Sequence, residues 1–246
     1  MIVWSVDARN LPEHATNPIH TDAGARAAGF ERALVAGVTS YAYCLHPVVE
    51  HFGLEWVGSG VSEVRFRSPV FDGDHVSFDL DATSDNAISV SAHTDRSPEA
   101  RVVVRAWRSG AEGSPPMNGE REGERLEPVQ TLLVGEFGPG YASRAGDDLL
   151  AFDHQKIVHP AVWTALANRV FHTQVVRGSW IHTRSVVHHH GFAYEGETAT
   201  TRTTVVERFF RSGTRAVADV VITVGNRPIA TIEHEAIIDL SGRDTP

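Results

Sequence analysis

Apolar and polar positions along this chain form one pattern that occurs twice. In the first half, "ALVAGVTSYAYCLHPVVEHFG" (33–53) sets Leu34, Val38, Tyr41 and Leu45 at the spacing of a buried helix face. Pro47 stands where that helix should end or kink, because proline has no N–H to give to the preceding turn. Period-two runs follow: "GVSEVRFRSPVF", "DHVSFDLDAT", "NAISVSAHTD" and "ARVVVRAWRS". In them Val64 and Phe66, then Val76, Phe78 and Leu80, alternate as half-buried strands do, and "DGD" at 72–74 reads as a hairpin turn.

The second half follows the same plan. "HPAVWTALANRVFHTQ" (159–174) carries Val162, Ala165, Leu166 and Val170 on one helical side. Four strand-like runs come after it: "GSWIHTRSVVHHHG", "GETATTRTTVVERFF", "TRAVADVVITV" and "PIATIEHEAIIDL", with "EGE" (195–197) as the counterpart of "DGD". Between the halves, "SGAEGSPPMNGEREGERLEP" (109–128) is rich in Gly, Pro, Ser and charge, and has little to bury. One helix followed by about four antiparallel strands, twice, predicts an α+β fold in which a sheet wraps a helix in each repeat. The expected division is 1–110 and 129–246, with 111–128 as linker.

Composition narrows the function classes. A net charge of −9, from 31 acidic and 22 basic residues without a basic run, argues against binding nucleic acid or an anionic membrane. Lys156 is the only lysine, so arginines would have to meet any phosphate. Cys44 is alone, which excludes an intramolecular disulfide and fits a reducing compartment. The start "MIVWSVDARN" lacks the basic and apolar regions of a signal peptide, and no apolar run approaches the roughly 20 residues of a membrane helix. These features place the expected chain in the cytoplasm.

Candidate chemistry concentrates in "HATNPIHTDAGARAAGF" (14–30). Asn17-Pro18-Ile19-His20, then "AAGF" (27–30), then Gly37 in "LVAGV", resemble the motif of MaoC-like, type-2 (R)-specific enoyl-CoA hydratases, and "FRSPVFDGD" (66–74) resembles a later step of the same family. The resemblance implies a double hotdog, with the specific motif in the first half alone. It also implies addition of water to a 2-enoyl thioester of coenzyme A or acyl carrier protein, or the reverse dehydration. In the family an aspartate and a histidine hold the water, and a backbone N–H at the start of the central helix holds the enolate oxygen. The motif aspartate falls on Ala15 here, and the histidine before the family glycine falls on Ala36.

On that resemblance His20 is the expected acid/base and Gly37 the oxyanion donor, with Asn17, Ala36 and Val38 lining the substrate. Either Asp22, Glu13 or His14 replaces Ala15, or the chemistry is one that a single base can manage, or only thioester binding remains; Asp22 reads equally as the cap of a helix starting near Ala23. His188-His189-His190 resembles a metal cluster, but strand neighbours point to opposite faces, so no metal is expected; His182, His188 and His190 could share one face. His159-Pro160 and Asn168 could reach the groove between the halves, but read rather as cap and packing residues. No phosphate-cradling Gly-rich loop is present, and no cofactor is expected. A homodimer is allowed but not required. Two rival readings remain: a retired hydratase that binds a thioester, another ligand or a partner subunit, and a hotdog thioesterase. The second needs a carboxylate on the central helix, where only Glu50, near its end, is available.

Overall fold

The structure, a computed structural model, describes residues 2–117, 119 and 121–240. Met1, Asn118, Glu120 and positions 241–246, at the ends of the expected halves and within the expected linker, lie outside the described residues.

Strand β1 (Ile2–Asp7) leads through two 3-10 turns, Pro12–Thr16 and Pro18–His20, into the short helix α1 (Asp22–Ala27) and the long helix α2 (Gly37–Phe52). Strands β2 (Val61–Phe66), β3 (His75–Ser84), β4 (Ala87–Thr94) and β5 (Ser97–Trp107) complete the first repeat. Short strands β6 (Glu124–Arg125) and β7 (Val129–Leu132) precede helices α3 (Tyr141–Arg144), α4 (Ala151–Gln155) and α5 (Ala161–Val170). Strands β8 (Ile181–His189), β9 (Thr198–Phe210), β10 (Thr214–Val224) and β11 (Arg227–Asp239) close the chain.

All strands join one antiparallel sheet in the order β1-β3-β4-β5-β2-β8-β11-β10-β9-β6, with β7 also on β9. The order 3-4-5-2 of the first repeat is mirrored by 8-11-10-9 in the second, and the antiparallel pair β2·β8 is the seam. This is the twice-repeated helix wrapped by a sheet that the patterning predicts, in the double-hotdog form that the resemblance implies. Helices α2 and α5 lie side by side inside the curved sheet. The inward face of α2 is buried nearly throughout, from Val38 to Val49. Its polar atoms are met there: the Tyr41 hydroxyl shares a 2.7 Å hydrogen bond with Ser62 Oγ, and Tyr43 donates to the Ala145 carbonyl at 2.7 Å.

Several local expectations change. Pro47 does not end the helix; α2 runs through it to Phe52 and stops at Gly53, whose φ of 84° favours glycine. The turns at 72–74 and 195–197 are tight, with Gly73 and Gly196 at positive φ, but neither makes a hairpin. The strands flanking each turn are not neighbours: β4 and β5 stand between β2 and β3, and β10 and β11 stand between β8 and β9. Nor do His182, His188 and His190 share a face. The register slips between Glu235 and Ala236, where Glu235 faces Arg184 and Ala236 faces His182. That bulge turns His182 inward with Ser185, Val187 and His189, and leaves His188 on the outer face. The cap of α1 is Thr21, whose Oγ1 accepts the Gly24 N–H at 3.2 Å; Asp22 is the first helical residue.

The core holds an unusual number of histidines. His159, His189 and His234 are fully buried, and burial drives each down to about 3. His46 runs the other way: burial would lower it, but Asp147, 2.7 Å from its Nδ1, holds it above the usual value. A histidine buried as the neutral ring takes up its proton only on unfolding, so its contribution is lost as pH falls below about 6.5. Each net proton taken up costs about 1.4 kcal/mol per pH unit, which moves the melting temperature of a chain this size by roughly 3 °C or more. Differential scanning calorimetry should therefore show Tm dropping by at least about 3 °C per pH unit between pH 6.5 and 4.5; a flat profile would mean the buried rings are already hydrated.

Candidate active site

The motif loop is held by its own polar groups. Asn17 caps the Pro18–His20 turn, its Oδ1 accepting the Ile19 N–H at 3.5 Å, and its Nδ2 donates to the Trp180 carbonyl at 3.0 Å. Ile19 packs into a small apolar cluster with Ala25 and Leu34. Helix α1 lies so close to the turn that a Cβ on Gly24 would stand 2.1 Å from the Pro18 carbonyl oxygen, which only glycine avoids. The result is a fixed His20.

His20 Nδ1 lies 2.8 Å from the Leu34 carbonyl oxygen. A carbonyl only accepts, so Nδ1 carries the proton and Nε2 presents a bare lone pair. Burial pushes His20 down to about 4, against the raising effect of the Leu34 bond, so the ring is neutral at pH 7.

Helix α2 begins beside it. Its cap residue, Ala36, has no side chain to accept a backbone proton, and among the described residues the Gly37 and Val38 amides have no acceptor. They are the open positive end of a 16-residue helix. Gly37 matters for access: a Cβ there would meet the Phe66 ring at 3.3 Å and His182 Nδ1 at 3.6 Å.

Two cavities meet at this point. One of about 210 Å³ is bounded by His20, Gly37, Phe66, Arg67 and His182 among others, and the second, about 290 Å³, by His14, Ala36, Val38 and Tyr141. Asn17, His20, Asn168 and Trp180 wall both. Buried polar atoms without a hydrogen-bond partner gather here: Asn168 Oδ1, Trp180 Nε1, His172 Nδ1 and His182 Nδ1. Native interiors rarely leave such atoms unmet, so the cluster marks a place for water or ligand. A larger trough of about 900 Å³ lies on the outer sheet face beside Pro115, Pro116, Met117 and Pro128, and two of the arginines that line it are paired, Arg121 with Asp219 and Glu233, Arg184 with Glu63 and Glu233.

Of the sequence candidates, His20, Gly37, Asn17, Ala36 and Val38 come together at these cavities. Asp22 does not join them. Its Oδ1 accepts the Ala33 N–H at 2.9 Å, its Oδ2 pairs with Arg26 at 3.3 Å, and it lines neither cavity. Glu13 is clasped by both Arg144 nitrogens at 2.8 Å; burial would raise it, but that pair holds it below the usual carboxylate range. His14 is the titratable neighbour, with its ring centroid 5.9 Å from that of His20 and its Nε2 3.0 Å from the Tyr141 hydroxyl. Burial, then the charge of His20, pushes His14 down to about 4. Ala15 is exposed and lines neither cavity. Trp180 and His182 come from the second repeat, far from the motif in sequence. Only their adjacency across the fold marks them; Asn168, which the sequence presents chiefly as a packing residue of its helix, also stands at both cavities.

Comparison with known proteins bears on the fold. Residues 12–110 match the family model of the MaoC like domain. A sequence search of curated proteins returns no match. RV0216, a conserved protein from Mycobacterium tuberculosis with a double hotdog fold, superposes with a TM-score of 0.63 at 10% identity, covering 95% of both chains. A candidate MaoC domain dehydratase from Chloroflexus aurantiacus gives 0.62 at 12%, over 98% of this chain and 96% of that one. A candidate oleoyl thioesterase from Lactobacillus plantarum gives 0.61 at 9%, over 96% of each. At these identities the likeness is one of fold.

Nitrogen-15 NMR of the histidine rings tests the central element directly. His20 should show the Nδ1–H tautomer at pH 7 and titrate near 4; a titration near the ordinary 6.5 would detach it from this environment.

Proposed function

With residues 12–110 a MaoC-like domain inside a double hotdog, we propose that the protein adds water to a 2-enoyl thioester, or removes it from the 3-hydroxyacyl thioester, where the two cavities meet. The observation that carries this reading is His20. The Leu34 carbonyl accepts a hydrogen bond from Nδ1–H, which leaves a basic Nε2 beside the uncapped start of α2.

A water donating to His20 Nε2 and to the unmet Asn168 Oδ1 would direct its own lone pair toward C3 of the substrate. As its oxygen bonds to C3, Nε2 takes a proton, and the electrons of the C2=C3 bond move toward the thioester oxygen. The Gly37 and Val38 amides meet that charge, and the helix dipole favours it. The imidazolium then gives the proton to C2. A ring pushed down to about 4 is a weak base but a strong acid once charged, so the return of the proton is its favourable half. One base thus serves both transfers, and no carboxylate at Ala15 is required. Asn17 keeps the loop in place through Trp180, Ala36 and Val38 border the acyl side, and the second repeat covers the chain. Arg67, exposed at the mouth and without an ion pair among the described residues, is suited to an anionic group of the carrier.

Thioester hydrolysis is the weaker reading. The one acid of α2, Glu50, lies at its far end, exposed and 3.5 Å from His46 Nε2.

Crotonyl-CoA, followed by loss of the enoyl absorbance, separates the readings. Wild type should turn it over to 3-hydroxybutyryl-CoA without releasing thiol, and His20→Ala should lose on the order of 100- to 10,000-fold in kcat. Ala15→Asp should stay within about threefold of wild type, since that position faces neither cavity. The acid limb of kcat/KM should fall near pH 4. Thiol release would transfer the assignment to a thioesterase; tight binding without turnover would transfer it to a binding protein.

A further inference from the structure

We propose that His182, a strand residue of the second repeat, donates its Nδ1–H to the thioester carbonyl oxygen beside the Gly37 amide, so that the two repeats build one oxyanion site between them. The inference rests on the thioester reading above but not on which reaction the thioester undergoes.

Geometry brings His182 there. The bulge opposite Glu235 and Ala236 turns the ring inward, where it is 94% buried (6% exposed) on the wall of the 210 Å³ cavity. It is clasped between the Phe66 ring at 4.6 Å and the His234 ring at 4.3 Å, so its orientation is set. Its Nδ1 has no partner, yet stands 3.6 Å from where a Gly37 Cβ would be. The missing side chain is thus the space through which a carbonyl oxygen reaches both the Gly37 amide and Nδ1.

The proton on Nδ1 follows from the other side of the ring. His182 Nε2 lies 2.8 Å from Ser185 Oγ, and Ser185 Oγ lies 3.0 Å from His234 Nδ1. Ser185 Oγ has no third partner among the described residues, so if both rings donated to it the hydroxyl proton would be left unmet in the core; one ring therefore donates to Ser185 and the other accepts from it. If His182 donated, His234 would carry its proton on Nε2. That atom is buried with no hydrogen-bond partner, against the edge of the Phe171 ring at 4.7 Å. Either order leaves one ring N–H without a protein partner; that of His182 opens on the cavity, where water or a ligand can meet it, whereas that of His234 lines neither cavity. The order is therefore His234 Nδ1–H to Ser185, Ser185 O–H to His182 Nε2, and Nδ1–H of His182 toward the cavity. Ser185 and His234 are positioning residues that select the tautomer. Both rings are neutral, so His182 acts as an uncharged electrophile that polarises the carbonyl and loses no proton in the cycle.

Three measurements test this on the intact protein. With crotonyl-CoA, His182→Ala should lower kcat by about 100- to 1,000-fold while KM moves less than about threefold. His182→Asn, whose amide nitrogen can stand in for Nδ1, should recover at least about tenfold of that loss, whereas a role in packing alone would give no such rescue. With hexanoyl-CoA labelled with carbon-13 at the thioester carbon, the bound carbonyl stretch should lie below its solution frequency in wild type and return toward it in His182→Ala. Nitrogen-15 NMR should report Nδ1–H and a bare Nε2 on His182, and Ser185→Ala should mix the two tautomers.

The outcomes are separable. Hydration of crotonyl-CoA with kcat of His182→Ala within about threefold of wild type and an unchanged carbonyl band would overturn the proposal and leave the hydratase reading standing. A carbonyl shift that depends on His182, without hydration, would support the proposal and overturn the hydratase reading. A bare Nδ1 in the wild-type spectrum would overturn the proposal even if the substituted chains failed to fold.

Discussion

Antiparallel pairing of β2 with β8, from Val61 opposite His188 to Arg65 opposite Arg184, joins two half-sheets into one surface, and the site depends on that seam. Without it α2 and α5 would not share an interior, and Trp180 and His182 would have no relation to the motif loop. The two faces of the seam are held by different chemistry. Outside, Arg65, Glu63, Arg184, Glu233, Arg121 and Asp219 form a continuous chain of ion pairs across the strands. Charges linked in a network resist screening better than isolated surface pairs, and each carboxylate at the seam is met by more than one donor or shares one. Inside, Val64 and Val187 are fully buried, and the polar groups are small hydroxyls that serve neighbours: Ser62 for Tyr41, Ser185 for His182 and His234.

That interior explains why the functional polar groups are uncharged. A cavity walled by Phe66, Trp180 and Ile19 gives a charge little solvation, so imidazoles there stay neutral and act through hydrogen-bond direction. His20 and His182 are oriented oppositely by their partners. A carbonyl at Leu34 makes His20 present a lone pair, and a hydroxyl at Ser185 makes His182 present a proton. In the proposed mechanism the same residue type would supply a base and an electrophile, and the difference lies in what sits behind each ring. Carboxylates that could have disturbed this balance are bound elsewhere: Glu13 by Arg144, Asp22 by Arg26 and the Ala33 amide, Asp147 by His46.

The site is also a product of where the chain is least able to satisfy itself. Gly37 and Ala36 begin α2 without a cap, which costs helix stability but leaves amides free for a ligand. Gly24 allows α1 to press on the Pro18 turn, and so keeps His20 in one position rather than several.

Much of this was legible from sequence. The 3.6 and 2.0 periodicities identify α2, α5 and the eight long strands, because each element buries one face and its pattern is local. The "NPIH" turn, His20 and Gly37 are legible for the same reason: the turn, the helix start and the histidine lie within some twenty residues of each other. The failures lie where distant segments decide. Whether "DGD" closes a hairpin depends on β4 and β5 standing between its flanking strands, and whether His182 faces in or out depends on a bulge opposite Glu235 and Ala236. Asp22 is as suitable as any acid by spacing, yet the Ala33 amide and Arg26 claim it. By itself, then, the sequence determined the repeat, the helix face and the motif loop, which are properties of near neighbours. Which nitrogen of each histidine carries the proton, and which residues of the second repeat meet the first, were decided by tertiary structure alone, because hydrogen-bond direction belongs to groups brought together from across the chain.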